Sequence, residues 1–555
     1  MKKNIRKRCV SCLMSTVMIT ALLSGCGGNS QQAAAEKSAE TAAKATTAAN
    51  VTEAATVSAE EKAMYPIEGD VTLTLAIKDM AAVTSSGAKN VMDTPLGEAW
   101  QKATGVNIDV IQMAGDDAFS LMFAGGELPD IIGYRFDGYS GGAARAIEDG
   151  IILPLNDYVE YCPDLMEVLN SNEDYYRGAT TNGGLIIGAP FVRSDALLRV
   201  QQGFIIRKDM LDKVGKELPE TADDLYEILV AFRDELGVEA PLSITNGYLK
   251  NTVKYGAWSS AFGQVTGDFY QKDGVVYCGY AENEYKDLLT FLNKLYGEKL
   301  LDNNFQALDT NTQRANFMNG KSGVTFDLIG GGLGGFLSTM EDDPEFDATG
   351  FASLVAKEGD RPYSSQTQNS ITGYYFVVTP DCKDVEAAVK FLNYCYTEEG
   401  TMLLNYGIEG ESYEIIDGVP TYTELITKNP NGLTMQQALA QYTLTWDQGP
   451  LVQQREYIEQ YAGRPQQQET LKRWVETDVD KYRIPTFEIP EEYVSEYSRL
   501  TSDIDTYRNE MLVRYVTGDA DLANYESEYL ATLNELGIER LTEIVQIGLD
   551  AYNAR

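Results

Sequence analysis

Glu409 and Glu411 stand two residues apart around a glycine, and Gly330-Gly-Gly-Leu-Gly-Gly335 follows an apolar run. These are the spacings in the chain that a catalytic or cofactor site would use. Paired carboxylates are what glycoside hydrolysis needs, one as acid and one as base or nucleophile. At i and i+2 around a glycine they need not face each other across a bond, and the spacing suits a turn better. The glycine run satisfies G-x-G-x-x-G by letter but lacks the βαβ context of a dinucleotide site near the start of a nucleotide domain. It is read instead as backbone that lets N–H groups approach a ligand or absorbs a hinge rotation. The chain contains no histidine. That removes Ser-His-Asp and Cys-His catalysis and every zinc site that needs imidazole. No catalytic residue, no metal and no cofactor is expected.

What remains is chemistry of recognition. Trp258 and Trp446 lie in loop-like surroundings, and a flat aromatic face matches the apolar C–H patch of a pyranose while carboxylates and amides take its hydroxyls. Trp100 and Trp474 sit in helical runs and are expected in the core. In an open α/β sheet, ligands meet the loops at the carboxyl ends of the strands. That rule selects Lys78 and Asp79 after the first strand, and Tyr134, Arg135 and Asp137 after a short buried one. Asp327 joins them from a β-rich run before the glycines.

Charge and composition narrow the partners. Asp plus Glu number 83 against 45 Lys plus Arg, a net charge of −38 over 555 residues. Such a surface repels nucleic acid and anionic lipid, so no nucleic-acid partner is expected. Lys2, Lys3, Arg6, Lys7 and Arg8 precede an apolar run over 10–23, an export signal too short to span a bilayer. It ends in Leu22-Leu23-Ser24-Gly25-Cys26, which is similar to a bacterial lipobox, whose cysteine is acylated and becomes the first mature residue. Residues 27–62 hold almost no bulky apolar side chain and are expected to be a disordered tether. Cys162, Cys278, Cys382 and Cys395 match no C-x-x-C pattern, and buried free thiols are preferred over the three possible pairings.

The elements that must position the candidates are strands separated by helices. Residues 71–77 and 106–112 alternate as strands, 95–104 read as a helix, and 129–132 as a short buried strand, a pattern that indicates a parallel sheet with crossover helices. Further along stand Ala124-Gly-Gly-Glu-Leu-Pro-Asp-Ile-Ile132, the segments 151–158 and 185–191, and Phe204-Ile-Ile-Arg-Lys-Asp-Met-Leu-Asp212. Pro219-Glu-Thr-Ala-Asp-Asp-Leu-Tyr226 and Phe317-Met-Asn-Gly-Lys-Ser-Gly-Val324 follow. Then come Asn405-Tyr-Gly-Ile-Glu-Gly-Glu-Ser-Tyr413, Tyr515-Val-Thr-Gly-Asp519 and Leu533-Asn-Glu-Leu-Gly537. Together these stretches resemble type-1 extracellular solute-binding lipoproteins, the larger kind common in Gram-positive bacteria, and the run 405–413 is the most specific of them.

The resemblance implies an α/β, two-lobed periplasmic-binding-protein-like fold (type II), lobes joined by crossing hinge strands, with extra C-terminal helices. It implies crossings near 186–203, 323–329 and 371–378, and a second-lobe helix over 379–396. The boundaries expected are a signal peptide over 1–25, the lipidated tether over 26–62, and lobe 1 over 63–190 and 326–374. Lobe 2 is expected over 191–325 and 375–490, and the C-terminal helices over 491–555. The implied function is a monomeric, lipid-anchored receptor on the outer face of the cell membrane, capturing a carbohydrate for an ABC permease. A surface glycan-cleaving enzyme using carboxylates is the alternative. Many members of the resembled family carry a calcium-type loop after a helix ending in Ala-Phe. Here Asp234, Glu235 and Glu239 lack its alternating spacing, which puts that metal in doubt. Replacing Cys26 with alanine is expected to release the protein from the membrane fraction, because it removes the one acylation site. Retention of the variant there would show a different anchor.

Overall fold

Leu73, Leu75 and Ile77 alternate along Val71–Lys78 and are all buried, so this segment forms a strand, β1, with a core-facing side. The computed structural model describes residues 64–555, and the leader, Cys26 and the tether lie outside the described residues. After β1 a helix at Pro95–Thr104 begins at Thr94, whose Oγ1 accepts the Gly97 N–H at 3.2 Å. Gly105, at φ 75°, ends it in the left-handed conformation and delivers β2 (Val106–Met113) parallel to β1. On the other side of β1 lies β3 (Ile131–Arg135), also parallel.

After β4 (Ala189–Arg193) the chain leaves this sheet. It builds a second one from β5 (Gln202–Arg207), β6 (Leu242–Ser243), β9 (Val324–Leu328) and β10 (Ala348–Gly350). A hairpin of β7 (Phe269–Lys272) and β8 (Val275–Cys278) sits between β6 and β9 in the chain. The chain then returns with β11 (Ile371–Val378), a hairpin of β12 (Tyr413–Ile416) and β13 (Val419–Tyr422), and β14 (Val452–Gln453). The first sheet has six strands in the order β14-β4-β11-β3-β1-β2, and the second four in the order β10-β5-β9-β6.

Each sheet has its own core. The first gathers Leu75, Ile131, Phe191 and Val377, and in it Trp100 stacks on Phe391 with ring centroids 4.8 Å apart. The second gathers Phe204, Phe232, Leu289 and Phe326, and the C-terminal helices Glu491–Thr517 and Ile538–Asn553 pack onto it through Ile504, Tyr515, Leu541 and Leu549. A third apolar cluster wraps the crossing, with Leu198, Val200, Leu333, Tyr406 and Trp474. Trp100 and Trp474 are both core residues. Cys162, Cys278, Cys382 and Cys395 are free and buried, and burial pushes the Cys162 thiol up to about 11.

Three expectations are corrected. The first sheet is mixed, because β11 runs antiparallel to β3 and β4. It enters directly from the second lobe, with no crossover helix to restore the parallel sense. The region 323–329 is no crossing: β9 lies inside the second sheet, hydrogen-bonded between β5 and β6. The return to the first sheet therefore comes at Ile371 rather than at residue 326. The helices Val385–Tyr394 and Glu398–Tyr406, expected in the second lobe, bury Phe391, Leu392 and Leu404 in the first core.

Gly203 on β5 shows how closely the crossing is packed. A Cβ there would lie 2.3 Å from the Trp474 ring, whose Nε1 donates to the Phe351 carbonyl at 3.0 Å. Gly203→Ala is expected to destabilise the protein by about 1–3 kcal/mol through overpacking. Urea unfolding measures this, and an unchanged midpoint would mean that the Trp474 helix yields freely.

Candidate ligand-binding cleft

A cavity of about 930 Å³ opens where the two sheets face each other. Its walls come from both lobes and from the segments joining them. Arg135, Asp137 and Gly373 belong to the first lobe, and Asn251, Lys254 and Tyr255 to the second. Gln202, Gln366 and Gln368 form the floor, where the chain crosses. A further wall is supplied by the stretch from Tyr482 to Ile489 and by Tyr497 on the long C-terminal helix.

The floor is tied by amides. Gln202 Nε2 donates to Gln366 Oε1 at 2.9 Å, and Gln366 Nε2 donates to the Asn251 carbonyl at 3.0 Å. On the first-lobe side Arg135 Nε donates to Asp137 Oδ1 at 3.0 Å, and that carboxylate raises the affinity of the guanidinium for its proton. Both side chains remain partly exposed, at 50% and 40%. Tyr255, 44% exposed, faces Arg135 electrostatically from the second lobe. Beside it Lys254 pairs with Asp268 at 3.2 Å, and Asp268 raises its pKa. Polar groups in charged pairs with an aromatic face across from them can hold a hydroxyl-rich solute. Glu409 and Glu411 lie on an exposed turn before β12, outside the cavity.

The sequence-selected residues divide. Arg135 and Asp137 line the cavity. Lys78 and Asp79 are exposed at the carboxyl end of β1, with the Asp79 N–H donating to the Met113 carbonyl at 3.0 Å. Lys78 lies in the field of Asp447, whose carboxyl is pushed up by burial. Trp446 is half-buried between the first and third clusters, its Nε1 donating to the Thr443 carbonyl at 3.0 Å.

Three candidates are misplaced as ligand contacts. Tyr134 turns inward among Phe119, Phe123 and Phe136, 4.6 Å from the Phe119 centroid, because it falls on the core side of β3. Trp258 is fully buried, edge-on to Phe204, and its Nε1 donates to Thr252 Oγ1 at 2.7 Å. Asp327 is also fully buried and holds Arg314, which donates from Nε and Nη2 at 2.8 Å each. The glycine run is packing space as well: a Cβ on Gly330 would strike Tyr461 at 2.3 Å, and one on Gly332 would meet the Asp327 side chain at 2.6 Å. The helix Ala222–Leu236 runs on past Ala231 and Phe232, where the family's calcium-type loop would begin, and is closed by Gly237 at φ 71°.

Sequence reasoning missed Tyr255, Gln202, Gln366 and Gln368. Tyr255 stands just before Gly256, whose φ of 80° marks a turn, and this was the available signal. The glutamines carry none, since nothing local shows that their segments cross side by side.

Two sheets with separate cores, joined by crossing segments above an open cleft, define a two-lobed binding protein. The chain matches the model of the bacterial extracellular solute-binding protein family over residues 85–402, and it belongs to that family. It is similar to lipoprotein LipO of Bacillus subtilis (strain 168), 25% identical over 471 residues that cover 81% of this chain and 88% of that protein. It is also similar to the fructooligosaccharide ABC transporter substrate-binding protein FusA of Streptococcus pneumoniae serotype 4, 26% identical over 369 residues, 62% of this chain and 66% of FusA. Among solved structures, the alginate-binding protein AlgQ2 without calcium ion superposes with a TM-score of 0.68 at 21% identity, over 88% of this chain and 100% of AlgQ2. The chain is a binding protein and not an enzyme.

Trp258→Ala is expected to cost about 3–5 kcal/mol of unfolding free energy, as for a buried aromatic. Tyr255→Ala should stay within about 0.5 kcal/mol of wild type. Denaturant titration of both unliganded variants checks this, and equal losses would contradict the placement of Tyr255 on the cleft surface.

Proposed function

We propose that this protein captures a carbohydrate, an oligosaccharide, between its lobes and hands it to the permease of an ABC transporter. Cys26, acylated, holds it on the outer face of the cell membrane, and it acts as a monomer. The observation that carries this reading is the cavity of about 930 Å³ whose floor is built from Gln202, Gln366 and Gln368. Cavities near the upper end of the usual ligand-site range hold several sugar rings. Amide side chains both donate and accept, as sugar hydroxyls do. FusA, by its name, serves a fructooligosaccharide transporter, which supports a carbohydrate here.

The geometry suggests how binding is used. A ligand touching Arg135 and Asp137 on one lobe and Tyr255 on the other gains its full set of contacts when the lobes approach. It shifts the open–closed equilibrium by its difference in affinity for the two states. The closed form is then the one a permease can distinguish from the empty protein.

Calorimetry against oligosaccharides of increasing length tests the reading. One intact oligosaccharide per protein is expected, and ligand at 100 times Kd should add about 2.7 kcal/mol to the unfolding free energy. Release of shortened products would favour the glycan-cleaving alternative instead.

A further inference from the structure

We propose that the solute is an uncharged saccharide, gripped through two neighbouring free hydroxyls by the Arg135–Asp137 pair; this rests on the solute-binding reading above. Every charged side chain on the cavity wall is already engaged. Arg135 pairs with Asp137 and Lys254 with Asp268, so each lobe presents one complete ion pair to the cleft. Arg177 holds Glu173 at 2.5 Å, Arg483 shares Asp480 with Arg199, and Asp505 is taken by Arg508 at 2.6 Å. Arg555 Nη1 is occupied by the Thr180 and Thr181 carbonyls, and the Glu488 carboxylate by the Ala144 and Asn182 N–H groups. An ionic solute would have to break one of these pairings and leave the displaced partner uncompensated. A neutral polyol asks for no counter-charge, only for donors and acceptors side by side.

Arg135 and Asp137 supply that arrangement. They flank Phe136, which is fully buried and pins the turn Phe136–Gly138, and both side chains reach the cavity. Two parallel bonds, from Nε to Oδ1 at 3.0 Å and from Nη2 to Oδ2 at 2.5 Å, hold guanidinium and carboxylate edge to edge. Behind them β11 is interrupted: Gly373 has φ 80°, and the register against β4 shifts between Ile371 and Tyr375. A Cβ on Gly373 would lie 3.1 Å from Asp137 Cγ, so this bulge gives the carboxylate its room against the strand. The guanidinium keeps N–H groups beyond those two bonds, and each carboxylate oxygen keeps a lone pair. Of two neighbouring ring hydroxyls, one accepts from Arg135 while the other donates to Asp137, and neither ion loses its partner. Arg135–Asp137 is the more exposed of the two complete pairs, and Tyr255, next to Lys254, offers an aromatic face from the opposite lobe. The sugar unit held here is therefore free of linkage or substitution at both hydroxyls.

The test is calorimetry on the full-length protein with maltotriose, cellotriose, mannotriose and kestose as neutral probes, and trigalacturonate and triglucuronate as acidic ones. At least one neutral sugar is expected to bind about tenfold or more tightly than either acid. Analogues of that sugar, with two neighbouring hydroxyls of one ring at a time converted to methyl ethers, locate the grip. One analogue should lose about tenfold to a hundredfold in affinity, as when hydrogen bonds to charged groups are removed. Asp137→Ala should weaken the unmodified sugar by a similar factor and shrink the methylation penalty to less than about threefold, a coupling that a merely structural carboxylate would not show. Should that variant fail to fold, Asp137→Asn, which keeps the volume, carries the same expectations. An acid bound as tightly as the best neutral sugar, or a methylation penalty as large in the variant as in wild type, overturns the proposal and leaves the carbohydrate reading standing. If none of these sugars, neutral or acidic, binds, both fall.

Discussion

Two segments cross between the sheets side by side, and their hydrogen bonds to each other decide where the floor of the cleft lies. Val200 bridges Thr367 in antiparallel fashion, and the Gln368 N–H donates to the Arg199 carbonyl at 2.8 Å. Arg199 Nε returns a bond to the Gln368 carbonyl at 3.0 Å. A two-stranded ribbon of this kind twists more readily than a packed sheet. It keeps its internal register while the bodies at either end rotate, so Gln202 and Gln366 stay adjacent as the lobes move. The third apolar cluster, with Val200 and Trp474, seals one side of the ribbon and leaves the other to the solute.

Electrostatics divides along the same boundary. Exposed surfaces carry the acidic excess, which keeps the protein soluble but contributes little to any single contact. Beside the cleft the Arg199 and Arg483 side chains are more enclosed, at 13% and 21% exposure, and burial changes their behaviour. Arg483 is drawn down to about 10 by burial and by its neighbour Arg199, even though Asp480 stands between them at 2.7 Å from Arg199. Two cations sharing the single Asp480 carboxylate in a partly dry site raise the local potential, and salt screens it less than it does at the open surface.

Much of the fold was legible because it is local. Alternation in β1 and β2 and the helix ending at Gly105 depend on neighbouring residues and can be seen in the chain itself. The order of strands is not local. Nothing in Ile371–Val378 tells that it inserts between β3 and β4, since its apolar run suits any central strand. For the site, the rule of strand carboxyl ends found Arg135 and Asp137 but could not say which face Tyr134 takes. Trp258 misled because a turn-like sequence was equated with exposure, when Thr252 was waiting to accept its N–H. Tyr255, three residues earlier, occupies the exposed position instead.

The C-terminal segment adds a constraint that the two sheets alone would not impose. Its helices pack on the second core, yet they also reach the first lobe. Glu488 accepts from the Ala144 N–H at 3.1 Å and the Asn182 N–H at 2.9 Å. Arg555 Nη1 donates to the Thr180 carbonyl at 2.7 Å and the Thr181 carbonyl at 3.1 Å. The Arg145–Glu491 pair at 3.2 Å is exposed and weak, but the Glu488 carboxylate is enclosed and its pKa is raised by burial, so losing its donors would be expensive. A hinge fastened on this side cannot open evenly. Rotation is cheapest about an axis near Glu488 and Arg555, with the gap widening towards Tyr255 and Arg135. The cleft face carrying Tyr255 and Arg135 is thus the side at which the lobes part most widely, and the last to close over a solute.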